Sequence, residues 1–331
     1  MKDQILELLR REPGYLSGQE MSNRLGVSRA AVWKAVEALR KEGYTIDSAP
    51  NRGYRLNAPT DRLSLREISA RLEDHPWASL VQVLDCVDST NNLAKTLAAQ
   101  GAPAGTVVIA ERQTGGRGRL GRGFSSPPGM GVYLSVILRP DAPPERLMHL
   151  TCAVAEVLCD GVEAASGLRP GIKWTNDLVS GGRKLCGILT ELSLEAESGH
   201  VQYAVVGAGV NCGQKLSDFP PEIQDIAGSL TMLTGKPVDR NALAAEMIRS
   251  LSRLDGSLVE HREQWMDRYR RDCVTIGRAV SVSRAGRWTW TAGARSWWTS
   301  ARAPRPFTPA KSVSGACTDM YNEVASKGEV S

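Results

Sequence analysis

At 331 residues, 42% of them apolar and 23% charged, the chain is long enough for two or three separate cores and ordinary in composition for a globular protein. No stretch of about eighteen apolar residues could span a bilayer, and Met1-Lys2-Asp3-Gln4-Ile5 opens on helical periodicity in place of a basic segment followed by an apolar run, so a cytoplasmic, unprocessed chain with no membrane partner is expected. Seven cysteines without a C-x-x-C pair suggest neither a disulfide framework nor a metal site, and a formal charge of +5 permits a polyanion partner without establishing one.

The first sixty residues read as a winged helix-turn-helix. Ile5, Leu8 and Leu9 share a helical face that Pro13-Gly14 ends. Ser17 then stands three residues before Glu20, the spacing of a capping box, and Met21 and Leu25 carry the next helix to a turn at Gly26. Ser28 caps a third helix whose Val32, Val36 and Leu39 repeat at helical spacing. Two strands, Tyr44 to Ser48 and Gly53 to Leu56, form a wing around residues 49–52. In such a fold the second helix of the pair enters the major groove, so Ser28, Arg29, Ala30, Trp33 and Lys34 are the candidate DNA contacts, with Arg52 reaching phosphate from the wing. A docking module with solvated basic residues is the other reading, and Trp33 could equally pack in a core. Residues 57–63 read as the linker that ends this domain.

From Ser64 to about residue 270, helical and strand patterns alternate, which predicts a mixed α and β domain, the expected enzyme. Asp88-Ser89-Thr90-Asn91-Asn92 precedes an amphipathic helix; helix capping accounts for these polar residues as well as contact with a polar ligand head does. The most informative stretch is Gly115-Gly116-Arg117-Gly118-Arg119-Leu120-Gly121-Arg122. Glycines let a backbone approach a ligand, and guanidinium forks match phosphate or carboxylate oxygens. It is neither a P-loop nor a dinucleotide fingerprint, since neither motif occurs in the chain. Gly171 to Val179 and Arg183 to Glu191 read as two strands joined through Ser180-Gly181-Gly182, with Lys184 entering the second. Val205-Val206-Gly207-Ala208-Gly209-Val210-Asn211 is an apolar strand interrupted by small residues, as where a ligand or another backbone passes close.

Taken in order, D-S-T-N, G-G-R-G-R-x-G-R, K-W-T-N-D, G-x-x-K-L-C-G-I-L and V-G-A-G-V-N behind a winged helix resemble the bacterial bifunctional biotin protein ligase and biotin-operon repressor over residues 1 to about 280. The resemblance implies an α+β multidomain chain: a winged helix over 1–60, a class II synthetase-like biotin protein ligase fold over 64–270, and a small SH3-like β-barrel over 271–331. It implies that Ser89, Thr90, Asn91, Gln113, Arg117, Gly118, Arg119, Lys184 and Gly187 hold biotin. Arg117, Arg119, Arg122, Asn176, Asp177, Gly207 and Asn211 are implied for the nucleotide, with Arg117, Arg119 and Lys184 acting on the reaction. ATP, Mg²⁺ and biotin are the implied small molecules. A biotin carboxyl carrier protein, operator DNA and a ligand-linked homodimer are the implied partners. The alternative is a repressor that binds biotin or its adenylate without efficient transfer.

The barrel pattern begins credibly at Cys273 to Val282 and then fails. From Arg284 the chain holds four of the eight tryptophans and no acidic residue before Asp319, and it does not read as alternating strands. A shifted reading frame of a GC-rich gene from about residue 284 would produce this composition; a natural basic, tryptophan-bearing tail is the rival. Re-sequencing the gene decides: a frame that resumes alternating strand pattern after one inserted or deleted base is the expected result, and an uninterrupted frame encoding these residues in independent clones contradicts a sequencing error.

Overall fold

The computed structural model describes residues 1–58, 61–278, 280–283 and 287–290. Three helices come first: α1 (Lys2–Arg11), α2 (Gly18–Leu25) and α3 (Arg29–Lys41). The wing follows as β1 (Thr45–Ala49) and β2 (Gly53–Ala58), paired antiparallel. Ser17 and Ser28 cap α2 and α3 as expected, accepting from the N–H groups of Glu20 and Ala31 at 3.0 and 3.2 Å. The capping box is only half made, because the Glu20 carboxylate pairs with Arg24 at 2.5 Å, one turn on. Gly26 ends α2 in the left-handed region at φ 65°, where a side chain would be strained. Ile5, Leu9, Met21, Val32, Val36 and Leu39 close a core of their own.

The second unit is built on a seven-stranded sheet. In chain order its elements are α4 (Leu65–Leu72), β3 (Val81–Leu84), α5 (Thr90–Ala99), β4 (Val107–Ala110), β5 (Gly131–Leu138), α6 (Leu150–Ser166), β6 (Gly171–Lys173), β7 (Asp177–Ser180), β8 (Arg183–Leu194), β9 (Val201–Asn211), α7 (Leu230–Thr234), α8 (Arg240–Ser252) and α9 (Arg262–Asp272). The strand order is β3-β4-β5-β9-β8-β7-β6, with β3 and β4 parallel and the other neighbours antiparallel. Period-2 alternation sorts the residues between two faces. Val107, Ile109, Val132, Leu134, Ala208 and Val210 join α6 and α8 in the main core. Val108, Ile137 and Val205 instead meet Ala94 and Ala98 of α5.

Gly171 to Val179, expected as one strand, is a hairpin: β6 and β7 pair through Gly171–Val179, Ile172–Leu178 and Lys173–Asp177. That fold-back turns Thr175 and Asn176 into a tip beside the site. Gly181 and Gly182, both at positive φ, form the tight turn expected between β7 and β8.

The two units meet through buried charge. Glu67 of α4, whose side chain is 1% exposed, pairs with Arg10 of α1, accepts the Tyr44 hydroxyl at 2.5 Å and pairs with Arg71 at 2.8 Å. Burial and the Glu67 carboxylate push the Tyr44 hydroxyl up to about 12, so it stays a donor at neutral pH. The connecting chain is stapled by α8: Asn241 accepts from Ser64 N–H at 2.9 Å and donates to Arg62 C=O at 3.1 Å.

Beyond α9, β10 (Val280–Ser283) and β11 (Arg287–Trp290) pair antiparallel. Arg287 to Trp290 is therefore a strand where the pattern predicted none. The rest of the expected barrel, and most of the segment assigned to a shifted frame, lie outside the described residues.

Candidate functional site

The site is a bare floor with polar walls. Antiparallel pairing puts Tyr133 of β5, Gly209 of β9, Gly187 of β8 and Asp177 of β7 in one row across the sheet. The next row is Ser135, Gly207 and Leu189. Glycine at 187, 207 and 209 leaves the middle of this face without side chains. Other elements use the room. A Cβ on Gly207 would lie 2.0 Å from the Asn91 side chain, and one on Gly209 would lie 2.5 Å from the Phe124 ring.

Ser89, Thr90 and Asn91 do not cap α5: Ser89 is its N-cap residue but makes no side-chain cap bond. All three are buried. Gln113 accepts from Thr90 N–H at 2.9 Å and from the Thr90 hydroxyl at 3.2 Å, while its amide donates to Ser126 at 2.8 Å. The Ser135 hydroxyl lies 2.8 Å from Thr90 Oγ1 and 2.6 Å from Asn91 Oδ1. Asn91 in turn donates to Glu191 at 2.9 Å, so it braces this wall from beneath.

Residues 112–128 arch over the floor. Gly118 N–H donates to Arg122 C=O at 2.7 Å and Phe124 N–H to Gly116 C=O at 2.8 Å, which narrows the arch. Arg117 reaches one bank, donating to Asn92 at 2.9 Å and lying 3.5 Å from Glu191. Arg119 reaches the other, bonding Thr175 and donating to Asn176 Oδ1 at 3.0 Å. Arg122 is exposed. Lys184 Nζ stands 2.7 Å from Asp177 Oδ1 and in contact with the Gly187 position. A cavity of about 700 Å³ runs along the arch past Gln113, Gly116, Phe124, Ser126, Pro220 and Ile223. It does not extend over Gly187 and Gly209, where Phe124 sits.

Asn176 also donates to Ile188 C=O at 3.0 Å. Asn211 is 6% exposed, and both ends of its amide are used within the chain, on Gly228 C=O and Gln214. Asn211 therefore secures the segment after β9. Phe124, Ser135 and Glu191 were not among the residues expected here. Ser135 had a signal, as the one polar residue inside the apolar run of β5; Phe124 and Glu191 had none of comparable strength.

The winged helix presents a second candidate face. Arg29, Ala30, Trp33 and Lys34 are all exposed on α3, with Trp33 54% accessible, so it is not a core residue. Ser28 is used as the helix cap. On the wing, the guanidinium groups of Arg52 and Arg55 lie 4.5 and 4.8 Å from the centre of the Tyr15 ring. The Arg40 guanidinium faces inward, to Ile46 C=O at 2.9 Å.

A family model described as the biotin/lipoate A/B protein ligase family matches residues 83–211, and one described as an HTH domain matches residues 2–55. The bifunctional ligase/repressor BirA of Bacillus spizizenii is 42% identical over 226 residues, which span 68% of this chain and 69% of that protein. The bifunctional ligase/repressor BirA of Escherichia coli is 34% identical over 236 residues, 71% of this chain and 70% of that one. The chain belongs to the family of bifunctional biotin ligase/repressors. Its central sheet matches a biotin protein ligase from Aquifex aeolicus, solved in complex with biotin and ATP, with a TM-score of 0.52 at 28% identity, covering 64% of this chain and 85% of that one. The two family models set an HTH domain and a ligase domain in one chain. No helix among the described residues is long and apolar enough to cross a membrane.

Burial would raise the Glu191 carboxyl, but hydrogen bonds from Asn91 and Lys95 and the nearby Arg117 hold it below the usual carboxylate range. A carboxyl whose folded value lies below its unfolded one adds stability that is complete above the unfolded value and is lost as pH falls through the folded one. Glu191→Gln should therefore lower thermal stability near neutral pH by about 1 kcal/mol. That deficit should close once the pH drops well below the ordinary glutamate value of about 4.3. Melting curves across this range check it; an equal deficit at neutral and strongly acid pH contradicts it.

Proposed function

We propose that this chain joins biotin to ATP, transfers the biotinyl group to a lysine of a biotin carboxyl carrier protein, and represses transcription through its winged helix. The observation that carries the ligase reading is the glycine floor between two chemically different walls. Thr90 and Gln113 offer donors and acceptors at one side, and Lys184 and Arg119 offer positive charge at the other. A ligand with a polar ureido head and a distant carboxylate suits that arrangement, lying in the cavity that runs along the arch past Gln113, Gly116 and Phe124.

A carboxylate is a poor acyl donor. Its oxygen attacks the α-phosphorus of ATP, the bond to the β-phosphate oxygen breaks, and pyrophosphate leaves. Lys184, oriented by Asp177, and Arg119, aimed by Asn176, offset negative charge that would otherwise keep two anions apart. Arg117 closes the opposite bank. Gly118 allows the backbone of the arch to approach, Gly207 makes room for Asn91, and Arg122, being exposed, is free to meet phosphate. Asn211 acts through the segment it braces. In the second step the ε-amine of the carrier lysine attacks the acyl carbon, the bond to the AMP oxygen breaks, and the amine gives up a proton; the arch excludes water from the mixed anhydride. Mg²⁺ supplies counter-charge to the ATP phosphates. The ion would be held by the ATP phosphates and by the Asp177 carboxylate, which stands beside Lys184.

For DNA, α3 would lie in the major groove with Arg29, Ala30, Trp33 and Lys34 toward base edges and phosphates, and Arg52 would reach along the backbone from the wing. A ligand-linked homodimer would present two such helices to a two-fold operator. Cytoplasmic residence accords with this pair of partners.

Incubation with ATP, Mg²⁺, biotin and a carrier domain, followed by the carrier's mass, tests the ligase reading. The expected result is a biotin-sized increase whose rate falls about 100-fold or more in Lys184→Ala. An unmodified carrier contradicts it and favours a repressor without transfer. In gel shifts with the operator, Arg29→Ala should weaken binding by about 1–3 kcal/mol; unchanged binding removes α3 from the interface.

A further inference from the structure

Glu111 lies outside the cleft, and all of its contacts are within the protein. It follows the last residue of β4 and, through its backbone N–H, bonds Leu84 C=O of β3 at 2.9 Å. Its side chain is 12% exposed, and each oxygen has a defined task. Oε1 accepts Gly129 N–H at 2.7 Å and the Arg240 guanidinium at 3.0 Å. Oε2 accepts Leu63 N–H at 2.9 Å. Residues 111 and 129 are the two feet of the arch that carries Gln113, Arg117, Arg119 and Phe124. One carboxylate thus ties the foot where the arch leaves β4 to the foot where it returns toward β5, and ties both to the segment that enters the ligase unit.

Arg240 shows that this arrangement is held against a cost. It is the first residue of α8, the positive end of the helix dipole, where a cation is unfavourable. Its side chain is 3% exposed, and burying such a charge costs several kcal/mol unless it is matched. The match comes from Glu111, from Asp61 Oδ1 at 3.3 Å and C=O, and from Gly131 C=O at 3.2 Å. Gly131 opens β5, so the guanidinium also bonds the first residue of that strand.

We propose that Glu111 is a positioning residue for the ligase reaction, holding both feet of the 112–128 arch so that Gln113, Arg119 and Phe124 stand in place before ligand arrives. Closing a flexible segment costs entropy that otherwise would be charged to ligand binding. The contribution therefore falls on binding and on the state of the unliganded arch, not on the chemical step. The inference takes its substrate from the ligase reading above.

Glu111→Gln supplies the test. Its amide keeps one acceptor oxygen for two backbone N–H groups and cannot match the Arg240 charge. The expected result is a rise of about tenfold in the KM for biotin with kcat changed less than about twofold. Trypsin should also cut the unliganded arch at Arg117, Arg119 or Arg122 at least about fivefold faster. Arg240→Gln breaks the ion pair but leaves both backbone bonds to Glu111; it should lower the melting temperature while biotin KM rises less than about threefold. Glu111→Asp keeps the charge and loses the reach, and it should reproduce the KM and cleavage effects even if Glu111→Gln does not fold.

Wild-type KM and cleavage in Glu111→Gln, or in Glu111→Asp where that is the variant that folds, overturn the proposal. So does an Arg240→Gln variant whose KM rises as far as that of Glu111→Gln, because a general loss of structure would then account for both. A wild-type chain that biotinylates no carrier counts against the ligase reading instead, and the cleavage rate of the unliganded arch then decides for or against Glu111.

Discussion

Everything at the site depends on the absence of three side chains from one face of a sheet. Gly187, Gly207 and Gly209 sit on adjacent strands where each would otherwise project a residue toward α5 and the arch. Asn91 comes so close to Gly207, and Phe124 so close to Gly209, that even a methyl group would displace them. The sheet supplies a rigid base because its opposite face is buried against α6 and α8. Small residues on one face and large ones on the other are thus two halves of one design: the core fixes the strands, and the strands fix the spaces.

The charges are arranged on the same principle. Arg117, Arg119 and Lys184 are each directed by an acceptor already present, Glu191 and Asn92, Asn176, and Asp177 respectively. A preorganised cation needs no reorganisation when an anion arrives, which is where electrostatic catalysis gains its advantage. The polar joint at Glu67 and the stapled residues before α4 join the winged helix to α4, which packs on α8 and β3 of the second unit.

Much of this was legible from local chemistry. Ser17, Gly26 and Ser28 announce the helix-turn-helix because caps and left-handed turns are decided within four residues of chain. The glycine-arginine run and the interrupted strand at 205–211 point to the site for the same reason. What was not legible depends on partners far away. Thr90 and Asn91 read equally as helix caps until Gln113 and Glu191 are seen to accept their hydrogen bonds and Ser135 to donate to both. Glu111 looks like an unremarkable end of a strand until Arg240, 129 residues later, is found against it. The hairpin hidden in Lys173-Trp174-Thr175-Asn176-Asp177 was masked by its unbroken strand-like pattern. Arg287 to Trp290 pairs as a strand although its composition argued otherwise, because backbone pairing asks less of side chains than a core does.

The ligase reading requires that this floor and its walls make an acyl-adenylate from biotin. Biotin-dependent exchange of labelled pyrophosphate into ATP measures that step alone, without a carrier protein or DNA. Exchange should require biotin and should not be supported by lipoate. Exchange that is absent with biotin, or equal with lipoate, would contradict it.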